Sequence, residues 1–279
     1  MCPLSQESLL GQGRTAEVFA WQEHQIIKLF YAGYPPELVQ FEMQKSRMIS
    51  SMNLPTPKFI EMLEIDGRIG LVYERVYGIS MLKMINLRPW LLFRLAKQLA
   101  ELHDAIHRQN GAGFPSIQPD LDAAIQRAAS LPGVQAGKVM ALLQELPDGH
   151  VLCHLDFHPD QVMMTGQGPV ILDWATAHQG HPLADVARTT LLIKIGQVPY
   201  GGRLMKTIID LWRGLFLRTY LTRYFELQSQ MTRKDLTPWL IPVAVGRLEE
   251  GIAGEEAALQ GEIERSLTAL GMPPTRLIH

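Results

Sequence analysis

The pattern of apolar and polar positions predicts strands in the first part of the chain. In residues 1–76, apolar runs of strand length alternate with short polar segments. The Asp66-Gly67 pair lies between apolar runs at 58–64 and 69–75 and is typical of a β-hairpin turn. We therefore predict an antiparallel sheet in this part of the chain.

One helical pattern interrupts these strands. It follows Tyr34-Pro35-Pro36 and covers residues 37–52, and its apolar positions 38, 41, 48, 49 and 52 lie on one face. We expect this helix to bury that apolar face.

Helical patterns dominate from Ser80 onward. The predicted helices cover 80–86, a segment that starts at Pro89, 119–130, 134–146, a segment that starts at Pro182, 201–230, 235–250 and 252–270. The chain is therefore predicted to have the α+β fold class, with a strand-rich domain at 1–77 and a mainly helical domain at 78–279.

Two short apolar runs end in acidic residues. The run at 151–153 leads into Asp156, and the run at 170–172 is followed directly by Asp173. An apolar strand gains nothing from ending in a carboxylate, so the two acids are candidates for chemistry. The alternative is that both are ordinary turn residues, since aspartate is common in turns.

A glycine-containing loop and a lysine occur in the predicted hairpin near the N-terminus. Gly11 and Gly13 allow a close approach of the backbone to phosphates, although a simple turn would contain the same glycines. Lys28 lies within the strand Ile26-Ile27-Lys28-Leu29-Phe30, where a charge needs a partner. The alternative for Lys28 is an edge strand that turns the side chain to water.

Composition and charge exclude several classes of function. Of 279 residues, 47% are hydrophobic and 19% are charged, and the net charge is −2. These values are ordinary for a soluble protein and provide no electrostatic reason to bind nucleic acid or a membrane surface. Two cysteines are too few for a disulfide framework, and neither a secretory signal nor a membrane span is visible, so we expect a cytoplasmic location.

The central stretch resembles the aminoglycoside phosphotransferase and choline kinase family. That family carries H-x-D-x-x-x-x-N followed by a strand that ends in D-W or D-F. This chain has His154-Leu155-Asp156, then Gln161 in the place of the asparagine, and then Asp173-Trp174. The resemblance implies a two-lobed protein-kinase-like fold with ATP and Mg²⁺ as cofactors, and GTP is not excluded.

The resemblance also implies a role for each candidate residue. Asp156 would receive or orient the acceptor hydroxyl, while Asp173 and Gln161 would bind Mg²⁺. Nucleotide binding would fall to Gly11, Gly13, Lys28, its partner Glu42, and the hinge residues Glu74 and Val76. His154 and Asp185 would support the catalytic loop.

For one histidine and one group of glutamates, we favour a structural role over a functional one. His103 accompanies the apolar face of its helix with no visible acid or metal-ligand pattern, so we interpret it as a core or capping histidine. The glutamates Glu249, Glu250, Glu255 and Glu256 are typical of a solvated helix face.

The expected function is ATP-dependent phosphoryl transfer to a hydroxyl or amine of a small molecule. Leu155 precedes Asp156 where protein kinases carry an arginine, and no peptide platform fits between Asp173 and Asp185. Residues 200–279 contain ten Lys or Arg against nine Asp or Glu, which argues mildly against a polycationic antibiotic. Choline, homoserine, a sugar or another metabolite remain open as acceptors, as does the oligomeric state. The alternative is a nucleotide-binding pseudokinase or regulatory module, because Gln161 departs from the metal-binding pattern.

Overall fold

The computed structural model describes residues 8–131, 135–196 and 203–272. The chain forms two compact units. The first contains Met1–Leu87 and Pro159–Ala175, and the second contains Arg88–His158 and Thr176–His279. This division follows packing within each unit, and the lobe boundary at 77/78 remains a prediction.

A five-stranded antiparallel sheet forms most of the first unit. Its strands are β1 (Leu9–Gln12), β2 (Ala16–Ala20), β3 (Gln25–Phe30), β4 (Phe59–Ile65) and β5 (Arg68–Glu74). They lie in the order β1-β2-β3-β5-β4, so β3 is central. The β4–β5 turn has positive φ at Asp66 and at Gly67, as the hairpin pattern predicted.

The helix α1 (Pro36–Ser50) is present, but only part of its predicted apolar face is buried. Ile49 of that face is buried, as is Val39, which was not assigned to it, whereas the exposed fractions of Leu38 and Phe41 are 52% and 53%. The expectation for Leu38 and Phe41 was therefore wrong. The sheet residues Phe30 and Leu71 pack in one cluster with Val39, which rotates the two apolar side chains outward.

The remainder of the first unit is a small sheet with a short helix. It consists of β6 (Ile79–Ser80), α2 (Met81–Leu87), a 3-10 turn (Pro159–Gln161), β8 (Val162–Thr165) and β9 (Gly168–Ile171). The three strands lie in the order β6-β8-β9. Ser80 Oγ accepts a hydrogen bond from Lys83 N, which caps α2 as expected.

The second unit is mainly helical. Its helices are α3 (Leu92–His107), α4 (Ile117–Ala128), α5 (Ala136–Glu145), α6 (Pro182–Ile195), α7 (Arg203–Leu227), α8 (Arg233–Glu249) and α9 (Glu256–Ala269). Strand β7 (Val151–Cys153) pairs antiparallel with β10 (His178–Gly180). Helix α3 buries Leu95, Leu99 and Ile106 along one face, as a 3.6-residue period requires.

The predicted α+β class, with an N-terminal antiparallel sheet, one sheet-packed helix and a helical remainder, is confirmed. Helix ends differ by a few residues from those expected. Pro89 begins a 3-10 turn (Pro89–Leu91) rather than the α-helix itself. Residues 134 and 201–202 of the predicted helices lie outside the described residues. In the described ranges, each helix falls short of the length and hydrophobicity that crossing a membrane requires.

Candidate active site

Lys28 is the centre of an ion-pair cluster in the first unit. Its Nζ donates to Glu42 Oε1 of α1 at 2.6 Å and lies 3.6 Å from Asp173 Oδ1. Because β3 is central in its sheet, the edge-strand interpretation of Lys28 is wrong. Glu42 is not a solvated surface residue either, since only 13% of its side chain is exposed.

The two carboxylates keep Lys28 charged. Burial by itself lowers the pKa of an amine, but Asp173 and Glu42 more than offset that effect and raise the Lys28 pKa above its usual value. Lys28 is therefore a permanent cation at neutral pH. A fixed positive charge of this kind suits the binding of phosphate oxygens.

A cavity of about 280 Å³ lies beside this cluster. Its polar lining includes Lys28, Glu42, Gln161 and Asp173. The apolar part of the wall is formed by Val18, Ile26, Ile49, Pro57, Leu172 and Trp174. Apolar walls with a few convergent polar groups are typical of a small-molecule site.

The segment that carries Asp173 is held from several sides. Leu172 N donates to Gln161 O at 2.8 Å, and Trp174 Nε1 donates to Thr56 Oγ1 at 3.0 Å. Lys45 Nζ of α1 donates to Ala175 O at 2.8 Å. Asp173 itself has φ 55, a left-handed conformation that aspartate tolerates better than most residues.

A metal ion fits this part of the site. Asp173 and Gln161 both line this cavity, and carboxylate and amide oxygens are hard donors of the type that Mg²⁺ prefers. Gln161 thus remains at the cavity wall although it has one methylene more than asparagine.

The two glycines of the loop are not among the residues that line this cavity, although Gly11 pairs with the lining residue Val18. Gly11 is within β1, and Gly13 N donates to Ala16 O at 2.9 Å. A Cβ at Gly11 would meet nothing within 4 Å, and one at Gly13 would meet only Ala16 O at 3.6 Å. Neither glycine has positive φ, so the local fold does not itself require them, and their role in phosphate binding stays a prediction.

The hinge residues also lie outside the cavity lining. The backbone N–H of Glu74 donates to Lys58 O at 3.0 Å, and that of Arg75 donates to His24 O at 2.8 Å. Among the described residues, the N–H of Val76 donates to no protein acceptor. The role of Glu74 and Val76 in nucleotide binding stays a prediction.

In the second unit, Asp185 holds the loop that contains Asp156. Asp185 Oδ2 accepts from His154 N at 2.5 Å, and Oδ1 accepts from Leu155 N at 2.8 Å. Leu155 has φ 60, a conformation that costs a leucine about 1–2 kcal/mol. The buried carboxylate stabilises this strained backbone directly before Asp156. His154 contributes through Nδ1, which accepts from Asp156 N at 3.3 Å.

The sequence did not reveal the histidines that lie beside Asp185 or the tyrosines that contact these histidines. His107 Nε2 donates to Asp185 Oδ2 at 3.3 Å, and His107 Nδ1 lies 2.7 Å from the Tyr224 hydroxyl. His103 Nδ1 lies 2.5 Å from the Tyr220 hydroxyl. The His-x-x-x-His spacing on α3 was the one available signal, because it places both rings on the same helix face.

His103 is a core histidine, as expected, but an acid does lie beside it. Its Nε2 is 3.1 Å from Asp185 Oδ2, although the two are not aligned as a hydrogen bond. Burial, with His107 nearby, lowers the His103 pKa to about 4. Burial alone would raise the pKa of Asp185, but the nearby His103 ring and the hydrogen bond from His107 hold it well below its usual value. Asp185 is therefore a buried carboxylate anion.

A family model described as a phosphotransferase enzyme family matches residues 8–226. The chain belongs to this family. The match covers both acidic strand ends, the strand lysine and the helix glutamate. A search of curated protein sequences finds no match.

Several solved structures of phosphotransferases and kinases have the same fold. Aminoglycoside phosphotransferase APH(4)-Ia, in a ternary complex with AMP-PNP and hygromycin B, is 15% identical with a TM-score of 0.64, over 94% of this chain and 92% of that chain. Amicoumacin kinase hAmiN, in complex with AMP-PNP, Ca²⁺ and Ami, is 14% identical with a TM-score of 0.58, over 98% and 91%. Choline kinase from Cryptosporidium parvum Iowa II is 15% identical with a TM-score of 0.55, over 98% and 93%.

The predicted protein-kinase-like fold is thus confirmed, and the chain is a member of a phosphotransferase enzyme family. The pseudokinase alternative finds no support in these comparisons. Because all three structures are distant in sequence, they do not identify the acceptor of this chain.

Proposed function

We propose that the protein transfers the γ-phosphate of ATP to a hydroxyl, or an amine, of a small molecule. The observation that carries this proposal is the position of Lys28, which contacts Glu42 and lies near Asp173 at the wall of one cavity. A purely structural lysine would need one carboxylate. The binding of a metal-associated polyphosphate requires one carboxylate that orients the lysine and a second that binds the metal together with an amide oxygen. Glu42 matches the first role, and Asp173 with Gln161 matches the second.

Each candidate residue has one task in the proposed reaction. Lys28, oriented by Glu42, binds phosphate oxygens of the nucleotide, and the N–H of Val76 donates to its base. Asp173 and Gln161 hold Mg²⁺, which neutralises the charge of the phosphate oxygens when it is bound.

Asp156 receives the proton of the acceptor. The acceptor oxygen forms a bond to the γ-phosphorus while the bond from that phosphorus to the β,γ-bridging oxygen breaks, and ADP leaves. The hydroxyl proton moves to the Asp156 carboxylate. Asp185 and His154 keep the backbone of the Asp156 loop in the conformation that presents this carboxylate.

An acceptor screen tests the proposal. ATP consumption in the presence of Mg²⁺ is measured across amino alcohols, sugars, amino acids and aminoglycosides. We expect at least one compound to raise ADP release well above the rate without acceptor. ADP release that no compound raises, from protein that binds ATP, would refute the proposal and favour the pseudokinase.

Gln161 provides a second test of the metal site. If the glutamine holds Mg²⁺ as proposed, Gln161→Asn will retain activity, because it keeps the amide oxygen, and Gln161→Leu will lose it. A Gln161→Asn variant that alone is active would instead place the wild type among the pseudokinases.

A further inference from the structure

A second cavity, of about 230 Å³, lies within the second unit. It is bounded by α4, α6, α8, β10 and the segments that follow β7 and precede β10. Its charged lining includes Asp120, Arg127, His178, Arg188, Glu249 and Glu250.

The Asp156 loop forms part of this cavity's wall. Leu155, which directly precedes Asp156, lines the cavity. Arg188 Nε donates to Leu155 O at 3.2 Å, and Thr176 Oγ1 donates to His154 O at 2.8 Å. A molecule in the cavity therefore lies against the loop that carries the proposed proton acceptor.

Each acidic side chain in the wall has a basic partner. Glu249 receives two hydrogen bonds from Arg127, at 2.6 and 3.2 Å. Glu250 Oε1 lies 2.5 Å from Arg188 Nη2, and Asp120 Oδ2 lies 2.6 Å from His178 Nε2. A polycation would have to separate these pairs before it could bind their carboxylates.

Of the four glutamates predicted to form a solvated helix face, Glu250 and Glu256 are exposed. The prediction is wrong for Glu255, which is buried and accepts two hydrogen bonds from Arg247.

The lining of the cavity indicates a small, hydroxyl-rich ligand. The cavity has a volume of about 230 Å³. Paired arginine and glutamate side chains present donors and acceptors side by side, and a hydroxyl can satisfy both. The aliphatic wall of Leu121, Ala124 and Val243 offers contact to C–H groups.

A quaternary ammonium ligand fits this wall poorly. Proteins recognise such cations with cages of aromatic rings. Among the described residues that line the cavity, none is phenylalanine, tyrosine or tryptophan.

We propose that this cavity binds the acceptor, an inference that rests on the proposed phosphotransferase function. The acceptor is a single-ring sugar or a polyol of similar size, and it is neutral or carries one amino group. The cavity places such a molecule beside Leu155, and its paired charges select against polyamines of several rings.

A cavity-filling variant tests this inference. Ala124→Leu extends a side chain into the cavity, whereas Ala123→Leu makes the same change on the neighbouring position of α4, outside the lining. Transfer of labelled γ-phosphate is measured with free aldoses, 2-amino aldoses, choline and a multi-ring aminoglycoside. We expect transfer to an aldose or amino aldose, with KM raised about tenfold or more in Ala124→Leu and unchanged in Ala123→Leu.

A change of charge provides a readout that folding defects do not mimic. Arg127 is largely exposed, and Arg127→Gln leaves the Glu249 carboxylate without its guanidinium partner. This variant should raise kcat/KM for the 2-amino aldose relative to the matched neutral aldose. An unchanged ratio would contradict the assignment of the cavity, even if Ala124→Leu fails to fold.

The outcomes separate this inference from the function on which it rests. Transfer to choline or to the multi-ring compound, with none to any single-ring sugar, overturns the acceptor class and leaves the phosphotransferase function standing. Sugar transfer that Ala124→Leu does not weaken overturns the cavity assignment. Absence of transfer to every compound of this panel overturns the acceptor class, and the phosphotransferase function is overturned only if the wider acceptor screen also gives no transfer.

Discussion

At the residue scale, the pair of Lys28 and Glu42 is the contact on which nucleotide binding is proposed to depend. Only 18% of the Lys28 side chain is exposed, and the lysine retains Asp173 at 3.6 Å if Glu42 is neutralised. We therefore expect Glu42→Gln to fold, with a free energy of unfolding lower by about 1–3 kcal/mol and with weaker ATP binding.

Isothermal titration and chemical denaturation check this prediction. Glu37→Gln, an acid-to-amide change in the first turn of the same helix, is the matched control and should bind ATP normally. Unchanged ATP affinity in Glu42→Gln would show that Lys28 is positioned without Glu42.

His103 leads to a prediction about pH. Its pKa of about 4 lies below the ordinary value of 6.5, so the unfolded chain binds this proton more readily than the folded chain. Stability contributed by the neutral ring is present above pH 6.5 and is lost as the pH falls towards 4, with a slope of at most about 1.4 kcal/mol per pH unit.

Proton NMR of the histidine ring signals tests this directly. The His103 resonance, assigned with a His103→Asn variant, should not titrate between pH 5 and 8. A midpoint near 6.5 would mean that the ring is accessible to water and that the buried cluster is looser than described.

Some of the site residues could be predicted from the sequence, whereas the contacts of the buried histidines could not. Asp156, Asp173 and Lys28 stand out because each is a charge beside an apolar run, which is a local signal. The contacts of His103 with Tyr220 and of His107 with Tyr224 each join residues 117 positions apart. No local pattern specifies such pairs, because they arise from the packing of α3 against α7.

At the scale of elements, α6 supplies the carboxylate that organises the Asp156 loop. Asp185→Asn would replace one acceptor oxygen with an NH₂ group that faces backbone N–H or histidine N–H donors. We expect the free energy of unfolding to fall by about 2 kcal/mol or more, since a buried donor is left without an acceptor. We also expect kcat to fall more than the affinity for ATP.

The same substitution at Asp210, on α7, is the control for Asp185→Asn. Thermal unfolding and steady-state kinetics distinguish the two positions. An Asp185→Asn enzyme with wild-type kcat would contradict the view that this carboxylate holds the loop conformation.

Helix α1 and the helix ends also show which structural features the sequence pattern could not predict. The period of α1 predicted a helix at the right place and the burial of Ile49, yet Leu38 and Phe41 of the predicted face are exposed. Apolar residues at Leu38, Val39 and Phe41 allow more than one buried face, and packing against the sheet decides between them. Helix ends shift for a similar reason, since capping and 3-10 turns depend on neighbouring contacts.

At the scale of the whole molecule, ligand binding should couple to folding. A ligand that binds only the folded state raises the free energy of unfolding by RT ln(1 + [L]/Kd), or about 2.7 kcal/mol at one hundred times Kd. We predict that ATP with Mg²⁺ raises the melting temperature more than ATP with EDTA. Asp173→Asn should remove that difference, and a difference that persists in Asp173→Asn would place the metal elsewhere.

The fold as a whole was accessible from sequence because several ordered motifs agreed with one resemblance. The acceptor was not, because the cavity beside Leu155 is assembled from α4, α6 and α8, which lie far apart along the chain. The charges in its wall are paired across those elements, so counting acids and bases in the sequence gave only a weak indication of its preference.

The most direct test of phosphoryl transfer is phosphorus NMR of reactions with ATP, Mg²⁺ and an acceptor from the screen. The wild type should produce ADP and a phosphorylated acceptor in equal amounts. The new resonance is that of a phosphate ester or, for an amine acceptor, of a phosphoramidate. Asp156→Asn should bind ATP and form neither product, while Asp122→Asn on α4 should match the wild type. Equal product formation by Asp156→Asn would contradict the proposed role of this carboxylate, and ADP with free phosphate alone would contradict transfer itself.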